Sequence, residues 1–348
     1  MRTRRDHRVV DIAVQAGLSR ATVDRVLHAR DGVRPETVAQ VTRAIEELER
    51  QREQVHLSGR TFILDLVMQT PDRFAVASRA ALEAELRSWR PAVLRVRSHL
   101  TEHSDPPAAA AALDAVGRTG SHGVVLKAPD HPLVVAAVQR LADLGIPTVT
   151  FVTDVPASRR LAYVGVDNPA AGATAAYLVR QWAGEAGGVL VAVSHSSFRG
   201  EEERVVGFRR TLAELAPARA VWEVNDTDGL DRTILMAVRG ALALHPSIDA
   251  VYSTGGGNVA ILTAFEEVAT VPRVFVAHDL DGDNRGLLRT RKISAVLHHD
   301  LRADMRRACR VLLQAHGVVP GRPANIPSQV QVVTPYNEPA SIHAAADL

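Results

Sequence analysis

Residues 9–48 read VVDIAVQAGLSRATVDRVLHARDGVRPETVAQVTRAIEEL, and this stretch decides the fold of the N-terminal part of the chain. Apolar residues recur there every three or four positions, which predicts three short helices at 9–16, 21–27 and about 35–52. Gly17 stands where a left-handed residue ends the first helix, and Ser19 is a natural N-cap for the second. Three short helices with a tight glycine turn between the first two form a helix-turn-helix module.

The positive charge of the chain is concentrated in this module. The 348 residues carry 41 basic and 39 acidic side chains, and all but two of the basic residues are arginine. Residues 1–60 have a net charge of +3, whereas residues 61–348 have a net charge of −1. A basic module on a nearly neutral body is typical of a protein that meets a polyanion with one small domain. Charge alone is equally consistent with a solvated, arginine-rich terminus.

Composition excludes several classes of protein. Cys309 is the only cysteine, so the chain is not a disulfide-stabilised secreted domain. Its apolar runs are all shorter than the roughly 18 residues of a membrane span. Asp11 interrupts the apolar stretch that a signal peptide needs after its basic start. We therefore expect a cytoplasmic protein with no membrane partner.

From residue 62 onward, short apolar runs alternate with amphipathic helical stretches. The runs are FILDLVM (62–68), AVLRV (92–96), GVVLK (123–127), IPTVTFV (146–152), LAYVGV (161–166), GVLVAV (188–193), AVWEV (220–224), DAVYS (249–253), RVFVA (273–277) and SAVLH (294–298). Such alternation predicts an α/β fold with doubly wound parallel sheets. Two lobes of about six strands each are favoured, because a single sheet of that many strands is unusual.

The N-terminal module also matches a known family in its residue detail. The matching elements are Asp11-Ile12-Ala13, Ala16-Gly17-Leu18-Ser19, Ala21-Thr22-Val23, Arg25-Val26-Leu27, Val33, Glu36-Thr37 and Ala44-Ile45-Glu46-Glu47-Leu48. This stretch resembles the DNA-binding domain of the lactose-repressor (LacI) family of transcriptional regulators. The resemblance implies that the helix from Ser19 to His28 lies in the major groove of double-stranded DNA, with its N-terminal turn at the base edges.

The resemblance also assigns a role to individual residues of that helix. Arg20 and Ala21 occupy the family's two base-reading positions, and Arg25 occupies its arginine position. An arginine fork suits the two acceptors of guanine, and alanine offers an apolar contact to a thymine methyl. The phosphate contacts that set the register on DNA are assigned to Ser19, Thr22 and His28.

Two features depart from the family pattern. Asp24 replaces a serine that lies near a phosphate in the family, and we expect its carboxylate to pair with Arg20 or His28. The hinge segment 49–57 is about three residues shorter than in the family and lacks its Pro-Asn. Leu57 is its only candidate for a minor-groove wedge, so the family's DNA kink is not expected in its usual form.

The body has its own matching pieces, over roughly residues 62–335. They are Tyr163-Val-Gly-Val-Asp167-Asn168-x-x-Ala171-Gly172, Arg204-x-x-Gly207-Phe208, Asp249-Ala-Val-Tyr252 and Val276-Ala-His278-Asp279. They resemble the periplasmic-binding-protein-like sensor domain of the same family, in which two lobes clamp a small ligand. The resemblance implies a head at 1–57 and a sensor at 58–348. The expected lobe boundaries are 61–155 with 282–325 for lobe 1 and 160–278 with 328–340 for lobe 2, with crossovers near 153–160, 278–284 and 325–333.

Polar and aromatic side chains at the ends of the predicted strands are the candidate ligand contacts. They are Phe74, Asp130, Asp154, Arg204, Asp279 and His299. Carboxylates and arginine forks bind hydroxyl groups, and an aromatic ring covers a sugar face, so a sugar or polyol is the expected ligand. Residues 255–257 are three glycines where sugar-binding relatives carry Asn-Asp, which argues against a plain monosaccharide.

The sequence shows no pattern that indicates an enzyme. Residues 278–283 and 298–300 are rich in histidine and aspartate, but they are better explained as polar strand ends that face a ligand than as a metal site. The sequence shows no nucleophile and general base at a recognisable spacing. No cofactor is expected. The prediction is a ligand-responsive transcriptional repressor that acts as a homodimer on a double-stranded DNA operator. The alternative is a solute-binding sensor whose DNA-binding head is non-functional.

Overall fold

The order of the elements follows the predicted arrangement of a small helical head and an α/β body. The computed structural model describes residues 7–30, 32–57, 59–102, 105–194, 197–225, 231–325 and 327–339, and only the backbone of 53–57. Its helices are α1 (Val9–Ala16), α2 (Arg20–Leu27), α3 (Pro35–Leu57), α4 (Asp72–Leu86), α5 (Pro106–Thr119), α6 (Pro132–Asp143), α7 (Asn168–Ala183), α8 (Arg199–Leu215), α9 (Asp231–Leu244), α10 (Asn258–Glu267), α11 (Gly282–Arg289) and α12 (Leu301–Ala315). Its strands are β1 (Thr61–Gln69), β2 (Val93–Thr101), β3 (Gly123–Lys127), β4 (Thr148–Phe151), β5 (Ala162–Val164), β6 (Gly188–Ala192), β7 (Ala220–Val224), β8 (Ile248–Ser253), β9 (Val274–His278), β10 (Ala295–His298) and β11 (Gln331–Val333).

The head is held together by one small apolar cluster between α1, α2 and α3. Its buried members are Ile12, Ala13, Ala16, Val23, Val26, Val41 and Ala44. Gln40 on α3 donates a hydrogen bond to the carbonyl oxygen of Ala16 at 2.8 Å, which fixes the end of α1 against α3. Helix α3 is continuous to Leu57, about five residues beyond its predicted end.

Lobe 1 is a five-stranded parallel sheet in the order β2-β1-β3-β4-β5. Helices α4 and α12 pack on one face of this sheet, and α5 and α6 pack on the other. Its central strand β3 is buried at every position, as expected for a strand covered by helices on both faces.

Lobe 2 is a six-stranded sheet in the order β11-β10-β9-β8-β6-β7. Helices α7 and α8 cover one face, and α9 and α10 cover the other. The strands are parallel except β11, which runs antiparallel to β10 at the edge. Strand β11 was not predicted, because three residues are too few to show a hydrophobic period.

Two of the three predicted crossovers between the lobes are wrong. Strand β5 belongs to lobe 1, because an ion pair between Asp154 and Arg160 folds residues 152–161 into a loop that returns to the edge of the same sheet. The first crossover is therefore at 165–167. Strand β10 belongs to lobe 2. Helix α11 connects it to β9 within the same sheet, where Ala295 pairs with Val276.

The second crossover is consequently at 299–300, and α12 and the residues after it return to lobe 1. The third lies between Asn325 and β11, within the predicted range. In the described parts of the chain, no helix is long and apolar enough to span a membrane.

Candidate functional site

The turn between α1 and α2 presents the predicted base-reading residues. Gly17 adopts a left-handed conformation (φ 62°) and its N–H closes the end of α1. The Oγ of Ser19 then accepts a hydrogen bond from the N–H of Thr22 at 3.1 Å and so caps α2. Because Val23 and Val26 face the core, Arg20, Ala21 and Arg25 lie on the opposite, exposed side of α2. These three residues form one contiguous surface that is free of apolar core contacts.

The residues predicted to bind phosphate flank this surface. The Ser19 hydroxyl also hydrogen-bonds that of Thr22, at 2.8 Å. His28 at the end of α2 pairs with Asp24, their Nδ1 and Oδ1 atoms 3.1 Å apart. Asp24 also approaches Arg30, at 3.5 Å. Asp24 thus contacts His28, one of its two expected partners, and has a positively charged neighbour in Arg30, which was not expected. The side chain of Leu57 lies outside the described residues.

A cleft separates the two lobes, at the carboxyl ends of their parallel strands. It opens where the strand order reverses in each sheet, between β1 and β3 in lobe 1 and between β6 and β8 in lobe 2, which is where α/β sheets bind ligands. It encloses about 760 Å³, including its open mouth. Its polar and aromatic lining includes Gln69, Arg73, Phe74, Glu102, Lys127, Thr153, Ser194, Phe198, Glu201, Arg204, Thr254, His278, Asp279 and Asp281.

Arg204 is positioned by an unusually close approach of α7 and α8. A Cβ atom on Gly172 would overlap the backbone of Arg204, and one on Gly207 would overlap the backbone of Pro169. The glycines therefore allow the two helices to touch, and the Arg204 guanidinium reaches Asn168 Oδ1 at 2.8 Å and the Thr254 carbonyl at 2.7 Å. A buried, charged fork held by two acceptors is a rigid donor for a ligand in the cleft.

Asp279 is held in a strained conformation directly after β9. Its φ is 63°, a left-handed value that costs free energy in a residue with a Cβ. Asn284 stabilises this turn by donating to the carbonyl oxygens of His278 and Asp279, at 2.8 and 2.7 Å. Burial opposes ionisation, but His299 and Arg204 nearby lower the pKa of Asp279 below its usual range. The side chain is thus an anion, and its buried Oδ1 has no hydrogen-bond partner among the described residues.

His299 lies behind Asp279 and carries charge itself. Its Nε2 is 3.6 Å from Asp279 Oδ1, and its Nδ1 is 2.5 Å from Asp304 Oδ2. Burial alone would lower the pKa of His299, but the two carboxylates raise it to about 9. His299 is therefore an imidazolium at neutral pH that connects a cleft carboxylate to α12.

Glu201 is a second buried carboxylate of the cleft. It accepts hydrogen bonds from the backbone N–H of Ser194 at 2.8 Å, from the Ser194 hydroxyl, and from the Thr254 hydroxyl at 3.2 Å. Ser194 follows β6 and Thr254 follows β8, so Glu201 on α8 ties together the two strands at the switch point of lobe 2.

Polar contacts join the lobes on both sides of the cleft. Arg73 of lobe 1 pairs with Asp281 of lobe 2 at 3.3 Å, and its guanidinium lies where a side chain at Gly256 would be. On the other side, Asp130 is 3.6 Å from Arg199, and its N–H donates to the Ser197 carbonyl at 3.0 Å. The two lobes are therefore in direct contact on both sides of the cleft. Burial raises the pKa of Asp281 to about 6, so it is mostly ionised at neutral pH.

The six predicted ligand residues have four different positions. Phe74, Arg204 and Asp279 line the cleft. His299 supports Asp279 from behind and does not line it. Asp130 makes the interlobe contact with Arg199. Asp154 closes the loop after β4, where it pairs with Arg160 and accepts from the Thr150 hydroxyl at 2.6 Å.

Comparison with known proteins accounts for both parts of this arrangement. The profile of bacterial regulatory proteins of the lacI family matches residues 9–51, which cover α1, α2 and most of α3. The profile of the periplasmic binding protein domain matches residues 66–317, more than half of the chain. The chain belongs to the LacI family. It is a ligand-sensing, DNA-binding regulator with a periplasmic-binding-protein-like sensor, as the sequence resemblance implied.

Solved structures confirm the fold of the sensor. GanP, a glucose-galactose binding protein from Geobacillus stearothermophilus, superposes with a TM-score of 0.72 at 16% identity, over 80% of this chain and 99% of GanP. A solute-binding protein from Agrobacterium vitis bound with α-D-tagatopyranose gives 0.73 at 18% identity, over 82% and 98%. A candidate LacI transcriptional regulator from Bacteroides fragilis gives 0.69 at 16% identity, over 80% and 98%. A sequence search of curated proteins found no match.

In this regulator, a buried polar chain connects the cleft to all three crossovers. Asp279 faces His299 on the second crossover, and His299 bonds Asp304 of α12. Asp304 accepts from the hydroxyl of Ser328 on the third crossover, whose N–H donates to the Gly165 carbonyl on the first, at 2.8 Å. Asp279 is therefore connected, through direct contacts, to the segments about which the lobes move. A shift of its side chain can be transmitted to those segments.

The residues of the cleft that were not predicted are chiefly Lys127, Glu201 and Thr254. Lys127 and Thr254 stand at or directly after the ends of predicted strands, which is the signal that identified Asp279. Glu201 lies in the first turn of α8 and has no such signal. Within the described residues, no group of three or more His, Cys, Asp or Glu side chains is arranged to hold a metal ion.

Proposed function

We propose that this regulator is a transcriptional repressor that binds a sugar-like molecule in the cleft and a pseudo-palindromic operator as a homodimer. The observation that carries the proposal is the combination, in one chain, of exposed arginines on α2 and a polar cleft between the lobes at two strand switch points. Ligand-dependent closure would change the spacing of the two heads of a dimer, so ligand affinity and operator affinity are linked.

The chemistry of the cleft supports a hydroxylated ligand. Asp279 is an ionised acceptor, Arg204 is a fixed donor, and Phe74 supplies an aromatic surface. Carboxylates and a guanidinium fork are suited to hydroxyl groups, and a ring is suited to the apolar face of a sugar. GanP is a glucose-galactose binding protein, the Agrobacterium vitis protein is a solute-binding protein bound with α-D-tagatopyranose, and both share the fold of this sensor. The cleft is proposed as a binding site without catalytic function.

Compensation of Asp24 favours this proposal over a sensor with a non-functional head. An unpaired carboxylate on α2 would repel the DNA backbone. Because Asp24 pairs with His28 and Arg30, this repulsion is reduced, and the exposed side of α2 keeps the two arginines Arg20 and Arg25. The head is therefore suited to a polyanion.

Substitution of Arg25 tests the proposal. We expect Arg25→Ala to weaken binding to the DNA upstream of the protein's own reading frame by about 1–3 kcal/mol, because one bidentate contact to guanine is lost. Fluorescence anisotropy of a labelled fragment measures this. Arg239→Ala on α9, which removes an exposed arginine far from the head, is the matched control and should leave DNA affinity unchanged.

Two results would contradict the proposal. One is equal DNA affinity of the Arg25→Ala variant and the wild type. The other is binding that does not weaken with added salt, since phosphate contacts release counterions. Light scattering tests the homodimer separately, and a mass of one chain, 37.5 kDa, at micromolar concentration would count against it.

A further inference from the structure

Lysine is rare in this chain, and one of its two lysines is buried in the cleft. Lys292 is exposed on lobe 2 and pairs with Glu266 at 3.0 Å. Lys127 is the last residue of β3, at the switch point of lobe 1, and is only 8% exposed. Elsewhere the chain uses arginine for positive charge. A compact ammonium fits a narrow space that the wide, planar guanidinium of arginine does not.

Aromatic rings from both lobes enclose this ammonium. The Nζ of Lys127 lies 4.0 Å from the ring centroid of Phe198 in lobe 2 and 5.8 Å from that of Phe74 in lobe 1. Among the described residues its single hydrogen bond is to the carbonyl oxygen of Gln69, at 3.4 Å, which is long. An ammonium has three donors, so two of them are left for a molecule in the cleft.

The three carboxylates of the cleft that belong to lobe 2 are engaged with groups other than Lys127. Glu201 accepts from Ser194 and Thr254, and Asp281 pairs with Arg73. Asp279 faces the imidazolium of His299. Within the described part of the chain, no carboxylate lies within 4.0 Å of the Lys127 ammonium. Glu201 and Asp279 act on it only at longer range, and burial lowers the pKa of Lys127 to about 8.

A buried charge without an ion pair is costly unless a partner is supplied. From this we infer that the effector carries an anionic group, a carboxylate or a phosphate, which pairs with Lys127 when the cleft is occupied. Its remaining atoms are those of a hydroxylated frame, because Asp279 and Arg204 offer an acceptor and a donor for hydroxyl groups. The inference rests on the proposed function of the cleft as the effector site.

Calorimetric titration of the full-length protein with matched ligands tests this inference. The probes are D-glucose and D-galactose, each with its aldonate, its uronate and its 6-phosphate. We expect at least one acidic member to bind at least about tenfold more tightly than its neutral parent. The aldonate and uronate arms report a carboxylate and the 6-phosphate arm reports a phosphate, so the comparison also separates the two sources of the charge.

Lys127→Gln should remove this preference by weakening the acidic ligand about 30-fold, while the neutral parent changes less than about threefold. Lys292→Gln, which removes the other lysine from an exposed ion pair, should keep the preference. Circular dichroism establishes that Lys127→Gln is folded. If it is not, the wild-type comparison of acidic and neutral ligands decides the question.

Neutral sugars that bind as tightly as their acids would overturn the inference, as would an acid preference that survives in folded Lys127→Gln. Lack of binding by every acidic probe would also count against it. DNA binding by the same preparations is measured separately. If the protein binds an acidic ligand but no DNA, the inference about Lys127 stands and the proposed function is wrong. If it binds DNA and only neutral sugars, the proposed function stands and the inference is wrong.

Discussion

At the scale of single residues, Asp279 shows how the cleft holds an ionised hydrogen-bond acceptor in place. Its backbone is strained, its Oδ1 is buried without a hydrogen bond among the described residues, and its charge is balanced by His299 at 3.6 Å. The strained backbone and the unbonded oxygen are unfavourable for folding, whereas the charge pair with His299 stabilises the folded protein. Together they preserve an ionised carboxylate in a fixed position, which is the expected property of a ligand contact.

The charge on His299 makes a prediction for stability as a function of pH. Its pKa is near 6.5 in the unfolded chain and about 9 in the folded protein. The stabilisation is therefore fully present below pH 6.5 and is lost as the pH rises through 9. We expect the difference in free energy of unfolding between wild type and His299→Gln to shrink by on the order of 3 kcal/mol over this interval.

Urea unfolding of both proteins at about pH 6 and about pH 10 measures this difference. The comparison between proteins is needed because Lys127 acts in the opposite direction. Burial lowers the pKa of Lys127 to about 8, so its contribution makes the wild type more stable as the pH rises above 8. A wild-type-minus-variant difference that is constant with pH would show that His299 is not charged in the folded protein.

Predictability from sequence differs among the site residues for a physical reason. Phe74, Arg204 and Asp279 were predicted and line the cleft. Asp130 and Asp154 also follow strands, but each forms an ion pair with an arginine. The sequence pattern does not show which arginine lies close to them in space. Lys127 was overlooked because GVVLK reads as an ordinary buried strand.

At the scale of elements, the pair α7 and α8 is the clearest case of packing that serves the site. Backbone contact between them, allowed by Gly172 and Gly207, places Arg204 beside Thr254. A methyl group at either glycine would have to displace backbone atoms. Side-chain adjustment gives no relief there, so the two helices would have to separate.

Gly172→Ala is expected to destabilise the protein by about 2–3 kcal/mol, because overpacking forces the two helices apart. Gly240→Ala on α9 is the matched control, since its new Cβ would meet no atom within 4 Å. This control should gain about 0.5–1 kcal/mol through helix propensity. Thermal unfolding compares the two variants, and equal melting temperatures would refute the role assigned to the α7–α8 contact.

The positions of the helices and strands along the chain were more predictable than the pairing of strands within the sheets. The ten strands predicted from apolar runs are present, since a buried parallel strand leaves a local signal. Assignment of β5 and β10 to a lobe failed, because the choice of neighbouring strand depends on long-range pairing such as that of Ala295 with Val276. The continuation of α3 to Leu57 was underestimated, since the apolar period ends earlier than the helix does.

At the scale of the whole molecule, the contacts that close the cleft and the segments that connect the lobes are physically joined. Arg73 and Asp130 join the lobes at the mouth of the cleft, and the chain from Asp279 through His299 to Ser328 joins the cleft to the crossovers. A ligand that occupies the cleft acts on both. Its differential affinity for open and closed forms is the only free energy available to change DNA binding.

Linkage between ligand binding and DNA binding is measured most directly by the affinity of the full-length protein for its upstream DNA fragment. Anisotropy is recorded without ligand and with a saturating concentration of the tightest-binding probe from the calorimetric panel. We expect the ligand to change DNA affinity by at least about fivefold, and saturating DNA to change ligand affinity by the same factor. A DNA affinity that is identical with and without bound ligand would contradict it.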